Sequence, residues 1–459
     1  MAEKLVSPVL VGRRRETEAL DQARRAAQNG AGRVVLIAGE AGIGKSRLVA
    51  ELLRHTAAGP FLVWEGHCFE QDSSFPFAPW IDALRGFLAL KSPAETRLLL
   101  GPLASEFVKL LPELALLIPD LRPNPPLDAE SERRRLLEIV ARFVAQLAQA
   151  RPLLVVLEDL HWSDESSLEL LRFAVHRIAA LPVLLVCTYR NDEIPARVSH
   201  YLAELDRGHL VEEIRLAPLT PTEVEQMVRA ILKPERSLAG AWFEVLVSLT
   251  EGNPLFVEEM LTSVIEMGDL DKLHIPRSIQ GLVQRRVARL QESTRHTLAL
   301  AALIGERFDF ALLQEITAED EPSLLAQLKE LVAAQLIVEQ SADQFAFCHA
   351  LTRQAVKATL MLRERKAMHQ TIAAALEQAI GVSADPAAAL LAYHYYQGGV
   401  WEKALAYSKT AGEQSQALYA PHEALTHFTQ ALDAARHLGI PASLAALRGR
   451  ARARDLLAD

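Results

Sequence analysis

The residues Gly39-Glu40-Ala41-Gly42-Ile43-Gly44-Lys45-Ser46, with Arg47 next in line, satisfy the pattern GxxxxGK[ST]. This is phosphate chemistry. Glycines let the backbone approach closely enough for its N–H groups to address phosphate oxygens, and a helix N-terminus behind them adds partial positive charge. In such a loop Lys45 is expected to bridge the β- and γ-phosphates and Ser46 to ligate Mg²⁺. A second group is Glu158-Asp159, at the end of the apolar run Leu153-Leu154-Val155-Val156-Leu157. Two carboxylates there supply what a nucleotide-contacting strand needs: one for hydrated Mg²⁺ and one to orient attacking water. Taken alone the pair reads as a solvated turn; the loop upstream favours the chemical reading. Arg190 ends a further apolar run, Thr188-Tyr189-Arg190, where its guanidinium would sense a γ-phosphate, the alternative being a surface arginine.

These groups need a frame. Val34–Ala38, Leu153–Leu157 and Val183–Thr188 are short, apolar and β-rich, while Ser46–Ala57 and Leu168–Ile178 have helical spacing. Strands alternating with helices predict an α/β domain with a parallel sheet covered on both faces. Residues 98–127 contain several prolines and read as a helical insertion with an irregular connection. After residue 218 strands give way to helix-period segments at Pro221–Leu232, Ala241–Thr250, Leu255–Glu266 and Ile279–Leu290. From Thr294 come three more helices, then two short strands, Leu336–Glu339 and Gln344–Cys348, the pattern of a winged helix. Beyond residue 385 the chain is alanine-rich. The spacing at Ala404, Ser408, Ala411 and again at Ala424, Phe428, Ala431 resembles the second helix of tetratricopeptide units, although the copies lie closer than the roughly 34 residues of a regular array. The expected organisation is a P-loop ATPase domain at 1–218, a helical lid at 219–293, a winged helix and following helix at 294–384, and a helical solenoid at 385–459. That last region is expected to be a piece of a longer array.

Composition narrows the function. The 459 residues are half hydrophobic and 23% charged, enough apolar surface for about three cores and too much for global disorder. A net charge of −9 opposes a non-specific grip on polyphosphate, so DNA is not expected as a partner of this chain alone. No apolar run approaches the ~18 residues of a membrane helix. The start MAEKLVSPVL lacks the apolar core of a secretory signal. Cys68, Cys187 and Cys348 are few and far apart, as in reduced core thiols, and a cytoplasmic location is expected. His67-Cys68 and His394 lack partners at metal-ligand spacing and read as core or surface residues.

On these residues the chain resembles the signal-transduction ATPases with numerous domains, in the AAA-related branch found in large ATP-binding LuxR-type regulators and beside the catalytic domains of soluble adenylyl cyclases. Val11-Gly12-Arg13-Arg14-Arg15-Glu16 looks like the GRxxE segment that lies against adenine in that family, and Leu157-Glu158-Asp159-Leu160-His161-Trp162-Ser163-Asp164 is similar to its LDDLHWAD block. Glu251-Gly252-Asn253-Pro254 resembles the GxP motif, whose proline packs near the base, and Phe347-Cys348-His349-Ala350-Leu351-Thr352-Arg353 the winged-helix block whose histidine reaches the β-phosphate of ADP. The resemblance implies an ATP/ADP-binding molecular switch with slow Mg²⁺-dependent hydrolysis. It assigns Glu158 to the metal with Ser46, Asp159 to water and Arg190 to sensing, with Val11, Gly12, Arg13, Pro254 and His349 around the nucleotide. Glu158 departs from the usual Asp, and the extra methylene changes the carboxylate's reach to Mg²⁺. The C-terminal helices are expected to recognise a protein partner, and nucleotide-dependent self-assembly is a further expectation. Rival readings are a DNA-coupled ATPase or phosphotransferase, a regulatory segment of a nucleotide cyclase, and a winged-helix DNA-binding module in which nucleotide is structural.

Overall fold

The computed structural model describes residues 6–57, 59–70, 74–118, 121, 127–192, 194–207, 211–232, 240–267, 279–348, 350–380, 387–441 and 444–458. The chain divides into two compact units. One comprises Arg15–Gly39, Lys45–Arg215 and Trp401–Asp459; the other comprises Met1–Arg14, Glu40–Gly44 and Leu216–Val400.

The first unit is built on five strands, β1 Arg33–Ala38, β2 Leu62–His67, β3 Leu153–Glu158, β4 Val183–Tyr189 and β5 Glu212–Arg215, in the order β2-β3-β4-β1-β5. Every pairing is parallel. The three predicted strands are its centre, because β1, β3 and β4 are apolar along almost their whole length, as strands covered on both faces must be. The other two were not legible as strands. β2 carries Glu65 and His67 among its apolar residues, and β5 is the edge segment Glu-Glu-Ile-Arg, of which only Ile214 is buried. Helices Ala78–Ala89, Ala129–Ala150 and Glu165–Ile178 pack with the sheet in one core that includes Trp64, Phe87, Phe107 and Phe143. Ala104–Phe107 and Leu114–Leu117 are short helices within residues 98–127, and Pro93–Leu100 runs into that stretch from before it.

Three C-terminal helices, Trp401–Ala417, Pro421–His437 and Leu444–Ala458, belong to the same unit. The repeated small residues are buried: Ala424 and Ala431 share an apolar cluster with Phe428, and Ala404, Ser408 and Ala411 are buried on the helix Trp401–Ala417. A Cβ on Gly412 would come within 2.8 Å of the Phe428 ring and one on Gly449 within 2.5 Å, so those glycines permit the close approach.

In the second unit, helices Pro221–Leu232, Gly240–Thr250 and Pro254–Met267 share an apolar cluster containing Val224, Met227, Trp242, Leu246, Val257 and Leu261. Ile279–Arg289 follows. Helices Glu292–Ile304, Phe310–Thr317 and Glu321–Ala333 then combine with β6 Arg307–Asp309, β7 Ile337–Glu339 and β8 Gln344–Phe347, an antiparallel sheet of order β6-β8-β7. The two predicted strands form the hairpin; β6 is only three residues long and gave no periodic signal. Ala350–Thr359, Leu362–Ile380 and Ala388–Gly398 complete the unit. Among the described residues no helix is long and apolar enough to cross a membrane.

Candidate functional site

In the sheet-bearing unit, Lys45 opens the helix Lys45–Ala57 and is 7% exposed. Its ammonium donates to the Gly39 carbonyl at 2.8 Å. Burial, the largest influence, pulls its pKa down to about 8; the Asp159 carboxylate works against that shift and the Arg190 guanidinium with it. The Ser46 hydroxyl donates to Glu158 Oε2 at 2.6 Å, so the extra methylene at position 158 carries a carboxylate oxygen to the loop serine. Ser46 and Glu158 present hard oxygens, the donors suited to Mg²⁺, which takes few protein ligands and keeps several waters. The donor set fits that ion. Among the described residues no three His, Cys, Asp or Glu side chains cluster as a closed metal cage.

Asp159 adopts a left-handed backbone conformation (φ 61°), and its N–H donates to Thr188 Oγ1 at 2.9 Å. The neighbouring strand β4 therefore holds the turn after β3, a tie that spacing could not reveal. Arg190 is 4% exposed and its guanidinium lies 5.4 Å from the centre of the Trp162 ring, so the surface-arginine alternative does not hold. His161, quoted within the acidic block but given no role from sequence, is 1% exposed, with Nδ1 3.8 Å from Asp159 Oδ1. Neither ring nitrogen has a hydrogen-bond partner among the described residues. Burial, then the Arg190 and Lys45 charges, pushes its pKa down to about 3, a neutral imidazole at physiological pH.

In the helical unit the loop residues Glu40–Gly44 meet the GxP-like segment. Asn253 Nδ2 donates to the Ala41 carbonyl at 2.9 Å and the Leu255 N–H to the Gly42 carbonyl at 3.3 Å. Arg13 is buried, and its guanidinium donates to the carbonyls of Ile43 at 3.2 Å and Ala217 at 2.7 Å. Gly42 has φ 78°, and a Cβ there would come within 2.8 Å of Leu255. Gly12 (φ 71°) meets Leu219 and Glu223 just as closely, and Val11 packs against the apolar cluster. Pro254 is the first residue of its helix, where a missing N–H costs nothing. Asn253 lies inside the GxP-like motif without a spacing signal of its own, and only the fold brings its amide to the loop. Arg47 is exposed. His349 lies outside the described residues.

With the geometry in place, residues 9–186 match the AAA ATPase domain. The chain carries an AAA ATPase-type nucleotide-binding domain, in agreement with the AAA-related branch that its motifs resemble. It is similar to an uncharacterized protein of Rhizobium meliloti (strain 1021), 25% identical over 449 residues, which cover 92% of this chain and 42% of that one. A weaker likeness is to the peroxide stress-activated histidine kinase mak3 of Schizosaccharomyces pombe, 24% identical over 281 residues covering 56% of this chain and 11% of the kinase. The chain thus spans less than half the length of the first of these relatives and about a tenth of the second. Among solved structures, the signal-transduction ATPase with a tetratricopeptide repeat sensor from Pyrococcus horikoshii aligns over 98% of this chain and 68% of its own, at 16% identity and a TM-score of 0.45. The ORC2 protein of Aeropyrum pernix aligns over 81% and 97%, at 16% identity and a TM-score of 0.38.

Proposed function

We propose that the chain is an ATP/ADP-binding molecular switch of the signal-transduction class, working in the cytoplasm with slow Mg²⁺-dependent hydrolysis. The observation that carries this reading is the Ser46–Glu158 hydrogen bond beside a buried Lys45, which joins the phosphate loop to the carboxylate end of β3. Lys45 would trade the Gly39 carbonyl for phosphate oxygens, whose negative charge relieves the burial of its ammonium. Bound Mg²⁺ would neutralise charge on the β- and γ-phosphates. Asp159 is placed in this reading to accept a proton from attacking water, and Arg190 to sense the γ-phosphate. The loop carbonyls turned toward Asn253, Leu255 and Arg13 support it further, since a phosphate cradle needs the N–H groups and not the carbonyls.

In the same reading 219–293 is the lid, 294–384 the winged helix, and His349 reaches the β-phosphate from it. Helices beyond residue 385 serve recognition of a protein partner, and self-assembly follows nucleotide exchange. Lys45→Ala tests the site: isothermal titration with ATP and Mg²⁺ should show most of the affinity gone while circular dichroism is unchanged. Wild-type affinity in that variant would overturn the assignment.

A further inference from the structure

The switch reading leaves one buried polar group of this region without a task. The His161 side chain is fully enclosed, and neither ring nitrogen has a hydrogen-bond partner among the described residues. An imidazole N–H shut away from water without a partner forfeits the bonds it would make there, so its presence asks for a use. The nearest polar group points to one: Nδ1 lies 3.8 Å from Asp159 Oδ1. Asp159 itself is partly exposed, so its carboxylate meets solvent while the imidazole stands on the protein side. The ring is held in place. The Trp162 N–H donates to the Asp159 carbonyl at 3.0 Å and the Ser163 N–H to the Leu160 carbonyl at 3.0 Å, and the Arg197 guanidinium donates to the Ser163 carbonyl at 3.0 Å. The imidazole also packs against the Trp162 ring, with centroids 4.8 Å apart. A carboxylate shift of roughly 1 Å toward this fixed ring would bring the pair within hydrogen-bond distance. Burial, then the Arg190 and Lys45 charges, keeps the imidazole neutral, so it adds no further cation beside the phosphate loop. A carboxylate only accepts, which favours the tautomer with its proton on Nδ1, and it takes several donors at once, so its other contacts do not exclude this one.

We infer that His161 is a positioning residue for hydrolysis: its Nδ1–H donates to the Asp159 carboxylate and fixes the oxygen that orients attacking water. This role rests on the nucleotide-site reading above, in which Asp159 receives the proton of that water.

Two substitutions set stability against turnover in the full chain. His161→Phe keeps an aromatic ring against Trp162 and removes the two unpaired nitrogens, so its melting midpoint should equal or exceed that of wild type. Its steady-state phosphate release should nonetheless fall about ten- to a hundredfold in kcat, the weight of a hydrogen bond to a charged group, with KM and ATP–Mg²⁺ affinity within about twofold of wild type. His161→Asn places an amide N–H close to the position of Nδ1 and lacks the rest of the ring. It should melt lower, because of the cavity, and yet keep most of the kcat. A packing role alone would make kcat follow stability in both variants; that outcome, or wild-type kcat in folded His161→Phe, would overturn the role of His161 and leave the nucleotide site standing. A wild-type chain that binds ATP and Mg²⁺ but releases no phosphate would instead overturn the reading of Asp159, and this role with it.

Discussion

At the scale of single residues, the proposed site depends on two carboxylates one position apart that the backbone sends in different directions. Glu158 closes β3 and bonds Ser46, whereas Asp159 turns into a left-handed conformation held by Thr188 and faces the buried His161. Divided labour follows. Glu158→Gln should weaken nucleotide binding only when Mg²⁺ is present, because the amide still bonds Ser46 but carries no charge for the metal. Asp159→Asn should leave binding intact and abolish phosphate release. The opposite pattern in paired titration and phosphate-release assays would mean that the roles are exchanged.

At the scale of elements, the segment before the helix Pro254–Met267 is fixed by Gly252. Its φ of +73° is strained for any other residue, and a Cβ would come within 2.2 Å of the Leu219 carbonyl carbon's oxygen. The Leu219 N–H bonds the Gly252 carbonyl at 2.8 Å, so the two strands of loop cannot separate to make room without losing that bond. Gly252→Ala should cost about 1–3 kcal/mol from backbone strain alone, and urea unfolding should register at least that loss. A second packed pair lies between the helices Leu362–Ile380 and Ala388–Gly398, where His369 and His394 are buried with their Nδ1 atoms 3.0 Å apart. One ring donates and the other accepts, which suits two neutral imidazoles. Burial, aided by Lys357 and Arg365, lowers the His369 pKa to about 4; burial, aided by His369, lowers that of His394 to about 3. An unfolded histidine titrates near 6.5, so between about 6.5 and 4 the unfolded chain binds more protons than the folded one. Stability is therefore present above that window and lost as pH falls through it. Thermal melts between pH 7.5 and 5 should show a falling midpoint, with a smaller fall in a variant carrying His394→Leu and His369→Leu together; equal slopes would remove the pair as the cause.

At the scale of the whole molecule, the C-terminal helices are tied into the sheet-bearing unit. Glu423, 3% exposed, accepts from the N–H groups of Glu165 at 2.9 Å and Ser166 at 3.3 Å, and from the Ser166 hydroxyl at 3.1 Å. It thus satisfies the open first turn of the helix whose N-cap, Asp164, ends the acidic block. His427 reaches the Ser74 carbonyl at 3.1 Å beside it. Burial pushes the Glu423 and Asp164 carboxyls up, and for Asp164 the Glu423 charge adds to the rise. Glu423→Ala would leave buried N–H groups unpaired and should lower stability by ~1–3 kcal/mol. Glu423→Gln keeps an acceptor without a charge and should retain most of it. Equal losses for the two variants in denaturant unfolding would rule out the capping role.

The sequence by itself determined whatever depends on a short run of chain. The phosphate loop, the three continuous apolar strands at the centre of the sheet, the helices of the second unit and the small-residue stripes of the C-terminal helices all carry local signals, because glycine freedom and apolar periodicity act over a few residues. Tertiary structure decided what depends on residues distant in the chain. β2 and β5 are strands because a sheet edge and a neighbouring ladder hold them, against a composition that reads as turn or surface. Arg13 and Asn253 reach the loop carbonyls, His67 reaches Glu158, and Glu423 reaches Ser166 across sequence separations that no spacing rule spans. Polar side chains show no periodicity of their own; their partners are set by where the backbone of another element leaves an unsatisfied group, and only the folded chain specifies that.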